Sequence, residues 1–322
     1  MRQIFDARAE RPVINALFIQ PTYCCARSCK DCYVKEHERS GKQVSVTEMA
    51  RLFELFHGSR GGECNQITIS MDVVPHNHQP SRDWMIGFAQ EVRIAQLNIY
   101  PESAVPEVHM TFKDIESFHE YECHVTGFLG QVALISLSDI KREDLSYIRA
   151  LSKRYPQLAI NYNHMSPEYL TNGSWNDHVE LMEQILMEVD SVYLIAQKTP
   201  LGTDRDLLMV ARDNKRMFHD LTYFKKLRND IGSGKFLVDG CIKDVINFEL
   251  EGFGCSSNVS RFQVWPDGSV SGCAYAKRAD TSSAATAEGI IENIRKSRET
   301  YNFKQCHLPS TYHSLSEKAK AK

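Results

Sequence analysis

No stretch of this sequence approaches the ~20 consecutive apolar residues that cross a membrane. The N-terminal MRQIFDARAERP has no apolar core, so a secretory signal is not expected. A basic excess is missing as well. The 38 Lys and Arg are outnumbered by 41 Asp and Glu, the formal net charge is −3, and no basic stripe stands out. Nucleic-acid binding driven by phosphate contacts gains no support from that balance. Internal repeats are absent, and low complexity is confined to the tail SEKAKAK, which should fray. These absences point to a cytoplasmic protein, a compartment where thiols stay reduced.

Cysteine is what the chain does have. Ten occur, at 24, 25, 29, 32, 64, 123, 241, 255, 273 and 306. A disulfide scaffold suits a short secreted chain and not a cytosolic one of 322 residues, so metal binding or catalysis is the expected use. Cys64 and Cys123 stand alone and are read as small buried hydrophobes. The other eight fall into two groups, four within nine residues near the N-terminus and four between 241 and 306.

The length suggests about two domains of ~150 residues, or one large α/β domain with an appendage. Apolar, β-branched runs predict strands at Ala16–Gln20, Gln66–Met71, Glu107–Thr111, Val132–Leu137, Ala159–Tyr162 and Ser191–Ala196. Amphipathic stretches between them predict helices at Val46–His57, Ser81–Gln96, Lys113–Glu122, Arg142–Arg154 and Asn176–Val189, with a long or broken helix in Asp204–Asn229. The first of these has Ser45 and Thr47 as candidate caps. Such alternation reads as repeated βα units and a mainly parallel sheet, which curls into an open or closed barrel. Functional groups then collect in the loops after the strands.

The first cysteine group, in FIQPTYCCARSCKDCYVKEHE, begins where the first predicted strand ends. Cys25, Cys29 and Cys32 have the spacing C-x3-C-x2-C. Three thiolates at these offsets can hold three irons of a [4Fe–4S] cube and leave the fourth open. An open iron is what a chemistry-performing cluster needs, by the logic that separates open catalytic zinc sites from closed structural ones. Starting from Cys24 gives the alternative C-x4-C-x2-C. A structural zinc site is the other reading, with Cys24 or His37 as fourth ligand, although only one C-x2-C knuckle is present.

CARSCKDCY resembles the signature of the radical SAM superfamily, in the loop where that family carries it. The resemblance covers roughly residues 14–235 and selects Cys25 over Cys24. It implies a partial (β/α)6 TIM-type barrel. It also implies a SAM-binding [4Fe–4S] cluster, S-adenosyl-L-methionine on the open iron, and reductive cleavage to a 5′-deoxyadenosyl radical that abstracts a substrate hydrogen. An electron donor such as flavodoxin or ferredoxin is implied too. Where the family has an aromatic before its third cysteine, this chain has Asp31, and its aromatic is Tyr33. The family's acidic-glycine motif follows its second strand, whereas Gly61-Gly62-Glu63 precedes QITISMD here. Ser70 and Asp72 are therefore the candidates for the SAM amino group. Ser136 and Ser138 in ISLSD, and Asn161 and Asn163 in INYNH, resemble positions that bond the SAM ribose and carboxylate.

The second group lies around CSSNVSRFQVWPDGSVSGC, Cys255 to Cys273. Phe262–Trp265, then Pro266-Asp267-Gly268, then Ser269–Ser271 is a hairpin signal. The spacing C-x12-G-x4-C resembles the SPASM extension of radical SAM enzymes, or its shortened form, twitch. The resemblance implies a core in residues 1–235 and a small hairpin-plus-helix domain in 236–322 that holds a second, auxiliary [4Fe–4S] cluster. Its ligands would be Cys255, Cys273, Cys306 and, as fourth, Cys241, with His307 or an open iron as alternatives. A zinc-bound tail or free cysteines is the bland reading of this half.

The resemblance implies a peptide or protein substrate first. Only about a dozen residues precede the first strand, so no separate N-terminal peptide-recognition domain is expected, which leaves room for a small-molecule dehydrogenase using the auxiliary cluster as electron acceptor. A non-catalytic iron–sulfur electron carrier is a further alternative. Candidate bases are His76, His78, Tyr162, His164 and Arg278, and candidate hydrogen donors are Cys64 and Cys123.

Overall fold

A computed structural model describes residues 13–20, 44–57, 63–64, 66–70, 79–97, 107–128, 132–165, 175–195, 223, 226, 236–238, 261–272 and 281–300. The chain divides into two compact units, Met1–Ala133 with Ser256–Asn302, and Leu134–Cys255 with Phe303–Lys322.

The first unit is built on β2 (Ala16–Ile19), β4 (Gln66–Ser70) and β5 (Glu107–Phe112), which pair in parallel in that order. Alternation along each strand gives two different faces. Leu17 and Ile19, Ile67 and Ile69, and Val108, Met110 and Phe112 are buried. Helices α1 (Val46–His57), α2 (Gln79–Leu97) and α3 (Ile115–Phe128) add Met49, Phe53, Met85, Phe88 and Phe118 to the buried set. Phe53 meets Phe88 at 5.7 Å between ring centroids, and Phe112 meets Phe118 edge-on at 5.3 Å. The residues that alternate with the apolar ones are mostly polar. Thr68 and His109 flank one another in register, as do Ser70 and Thr111. A small parallel pair, β1 (Val13–Ile14) with β3 (Glu63–Cys64), completes the beginning of this unit.

Helix boundaries follow local chemistry. Ser45 Oγ accepts the Glu48 N–H at 3.2 Å and caps α1, as its position before the apolar run suggests. Helix α2 starts at Gln79, two residues before the expected Ser81. Pro80 opens the helix and does not block it, because the first turn needs no N–H donor. Helix α3 starts later than expected, since the Asp114 carboxylate caps it by accepting Ser117 N–H at 2.8 Å.

The hairpin signal is realised as β10 (Arg261–Val264) and β11 (Val270–Ser271), with Gly268 in the left-handed region at φ 74°. Sequence reasoning set this hairpin in an appended domain. In the structure β10 pairs in parallel with β2, Arg261 opposite Ala16 and Val264 opposite Ile19, so the hairpin extends the first unit's own sheet. The turn is held by α6 (Ala287–Thr300) and the segment before it. Asn293 Nδ2 donates to Gly268 O at 3.1 Å, and Ala284 N donates to Asp267 O at 3.0 Å. Trp265, fully buried, donates its indole N–H to Ser271 Oγ at 3.0 Å.

In the second unit β6 (Val132–Leu137), β7 (Ala159–Met165), β8 (Ser191–Ile195) and β9 (Phe236–Val238) are parallel neighbours in chain order. A single 3-10 turn at Arg142–Asp144 leads into α4 (Leu145–Arg154), and α5 is Trp175–Glu188. Ile135, Leu137, Ile160 and Val192 are buried, with Ile148, Leu151, Met182 and Ile185 of α4 and α5. Strand β7 runs three residues beyond the expected Tyr162. Of the expected helix in 204–229, only Tyr223 and Lys226 are described, both helical. Each unit thus alternates β and α, with a mostly parallel sheet. No described helix is long and apolar enough to cross a membrane.

Candidate functional site

One buried polar cluster stands out in the second unit. Ser136 is in register with Asn161, and Asn161 with Ser191, so β6, β7 and β8 each give one residue to a single row. Asn163 lies two residues further along β7 on the same face. Ser136, Asn161, Asn163 and Ser191 are all buried, although each is polar. Asn161 is the hub. Its Nδ2 donates to Ser136 Oγ at 3.1 Å and to Asn163 Oδ1 at 2.7 Å, and its Oδ1 accepts the Ser191 hydroxyl at 2.9 Å. Buried polar groups are ordinarily bonded, and each of these four finds at least one partner among the others. A parallel sheet packed on both faces would carry apolar residues here instead.

Three of the expected site residues, Ser136, Asn161 and Asn163, are therefore brought together. Ser138 lies just past the end of β6 and is half-buried, outside this network. Ser70 ends β4 in the first unit, half-buried and opposite Thr111. Asp72, Tyr33 and all seven expected metal ligands, Cys25, Cys29, Cys32, Cys241, Cys255, Cys273 and Cys306, lie outside the described residues. So do Cys24, His37, His76, His78, Arg278 and His307.

The two described candidate bases sit elsewhere. Tyr162 and His164 alternate with Asn161 and Asn163 along β7 and so project from the other face. His164 is buried, and its ring lies 5.6 Å from that of His178 on α5. Cys64 is buried as expected, with Sγ donating to Gln66 O at 3.3 Å. Burial pushes its thiol up to about 12, so it remains protonated. Cys123 corrects the expectation of a buried hydrophobe: it is exposed on α3. An apolar stripe locates a helix's inner face, and Cys123 falls beyond the buried Phe118 and Tyr121 that define it here.

Two features escaped sequence reasoning. Ser191 opens a strand whose signal was its apolar run, so its hydroxyl drew no attention. Glu107 and His109 share a face of β5, His109 Nε2 lying 3.3 Å from Glu107 Oε2. Burial lowers the His109 pKa more than the carboxylate raises it, favouring the neutral imidazole.

The residues that border the first cysteine segment are also fixed. Gln20, just before it, donates its N–H to Val264 O at 2.9 Å, and Val44, just after it, donates to Pro266 O at 2.7 Å. Both anchors belong to the β10 hairpin.

No family model matches the chain, and no curated protein does. Among solved structures, a structural study of a protein from Aquifex aeolicus VF5 aligns at 11% identity and TM-score 0.38, covering 92% of this chain and 97% of that one. The structure of PhdJ bound to substrate intermediate aligns at 13% identity and TM-score 0.30, covering 73% of this chain and 70% of that one. Likeness of this degree assigns neither family nor activity.

Proposed function

We propose that the protein is a radical SAM enzyme whose C-terminal segment carries an auxiliary iron–sulfur cluster, acting on a peptide or protein substrate. The observation that carries the reading is the C-x3-C-x2-C spacing of Cys25, Cys29 and Cys32 in the segment that follows β2 in sequence. A sheet with helices over its apolar face and polar residues on the other is consistent with the partial (β/α)6 barrel that such chemistry uses.

The donor set of the buried cluster fits the cofactor's polar end. Among the described residues, the Ser136 hydroxyl hydrogen and the Asn163 Nδ2 hydrogens are not spent within the network. A ribose or carboxylate offers them acceptors. Cys25, Cys29 and Cys32 would hold the first [4Fe–4S] cluster. Cys241, Cys255, Cys273 and Cys306 would hold the second, within the segment 236–322. When bound, these groups supply one-electron chemistry that removes a hydrogen atom from the substrate. The chain's own part is to bind, orient and exclude water. Ser136 and Asn163 would orient the cofactor by hydrogen bonds, and Asn161 would hold the two in place. Ser70 and Asp72 would meet its amino group, and Tyr33 its adenine.

Iron counting after anaerobic reconstitution tests the assignment. Two [4Fe–4S] clusters give about eight irons per chain, and changing Cys25, Cys29 and Cys32 together to Ala leaves about four. Zinc in place of iron, or an iron count that the triple variant does not lower, sinks it.

A further inference from the structure

The hydrogen bonds around Asn161 have a direction, and the direction has a source. Ser191 opens β8, and its hydroxyl makes one hydrogen bond, to Asn161 Oδ1. With that oxygen engaged, the Asn161 amide must point its two hydrogens at Ser136 Oγ and Asn163 Oδ1. The consequence reaches the far side of the cluster. Asn163 has its oxygen occupied and shows its Nδ2. Ser136 has accepted one bond and still has its own proton to give. The protons the cluster has left to offer are those of the Ser136 hydroxyl and the Asn163 amide.

Turning both amides over would satisfy the same three contacts in the opposite sense. Asn163 would then show its oxygen, and the Ser191 proton would be stranded in the buried row at the start of β8. An unmade bond there costs the full desolvation of the hydroxyl. The observed sense instead leaves its unspent donors on Ser136, next to last in β6, and on Asn163, past the middle of β7. Those positions lie toward the C-terminal strand ends, where parallel α/β sheets hold ligands.

We propose that Ser191 is a positioning residue that polarises the cluster, so that Asn163 shows its amide hydrogens in place of its oxygen and the site favours an acceptor group, a carboxylate. This rests on the functional reading above, in which these residues face the cofactor, and assigns the carboxylate end to Ser136 and Asn163. Ser191 does not itself touch the ligand.

Two readouts on the full chain test it. Side-chain amide exchange of Asn161 and Asn163, followed by NMR without ligand, reads the polarity directly. The Asn161 amide should exchange slowly and that of Asn163 fast. Ser191→Ala should speed the Asn161 amide by about tenfold, as loss of one buried hydrogen bond does, and Ser191→Thr should restore it. Calorimetry with S-adenosylhomocysteine and its decarboxylated analogue reads the selection. Wild type and Ser191→Thr should prefer the carboxylate compound by about tenfold, and Ser191→Ala should not. A slow Asn163 amide beside a fast Asn161 amide overturns the proposal, as does exchange or preference that Ser191→Ala leaves unchanged. If the exchange pattern holds but neither adenosyl compound binds, the polarity stands and the cofactor reading is what fails.

Discussion

Cys64 and Cys123 are thiols of the same unit with opposite fates. Cys64 lies in a buried strand pair and keeps its proton, whereas Cys123 is exposed on a helix. Alkylation of the native protein by iodoacetamide at pH 8 should therefore label Cys123 and spare Cys64, because the thiolate is the nucleophile. Mass spectrometry of the labelled peptides checks this, and equal labelling of the two contradicts it. The shift also has a sign for stability. The native Cys64 thiol holds its proton up to about 12, while in the unfolded chain it ionises in the ordinary thiol range. The unfolded state then binds fewer protons, so this contribution is intact below the ordinary thiol range and is lost as pH climbs from there toward 12. Cys64→Ala should flatten that part of the profile, measured as urea midpoints on either side of pH 9.

The β10–β11 hairpin is where sequence reasoning did best and least at once. Pro266-Asp267-Gly268 after the apolar run Phe262–Trp265 announced the turn, and Gly268 takes the positive φ that glycine is there to allow. The partner strand was not legible. Residues 261–264 pair with residues 16–19, some 245 positions away, and no local periodicity encodes a pairing at that distance. The same limit applied to the site. INYNH and ISLSD announced polar strand residues, but the register that sets Ser191 against Asn161 belongs to the fold and not to either segment. A Cβ on Gly268 would lie 2.1 Å from Ala284 O and 3.0 Å from a Val44 methyl. Gly268→Ala should thus destabilise the first unit by at least about 1–3 kcal/mol, the cost of a strained backbone residue, through a hairpin that bonds Gln20 and Val44. Chemical denaturation reads the loss. A variant as stable as wild type would mean that the turn moves freely and clamps nothing.

For the whole molecule, described residues that border the two cysteine groups in sequence meet in the first unit. The hairpin between Cys255 and Cys273 in sequence bonds, through Val264 and Pro266, to Gln20 and Val44, which border the segment that carries Cys25, Cys29 and Cys32. The hairpin therefore holds the residues on both sides of segment 21–43. The proposed enzyme would use such a frame to hold its first cluster in place. The most direct measurement is of 5′-deoxyadenosine formed from S-adenosylmethionine by the anaerobic, dithionite-reduced protein. The account predicts its formation by wild type and its abolition when Cys25, Cys29 and Cys32 are changed together to Ala. A reduced wild-type protein that holds its iron and leaves S-adenosylmethionine intact would contradict it.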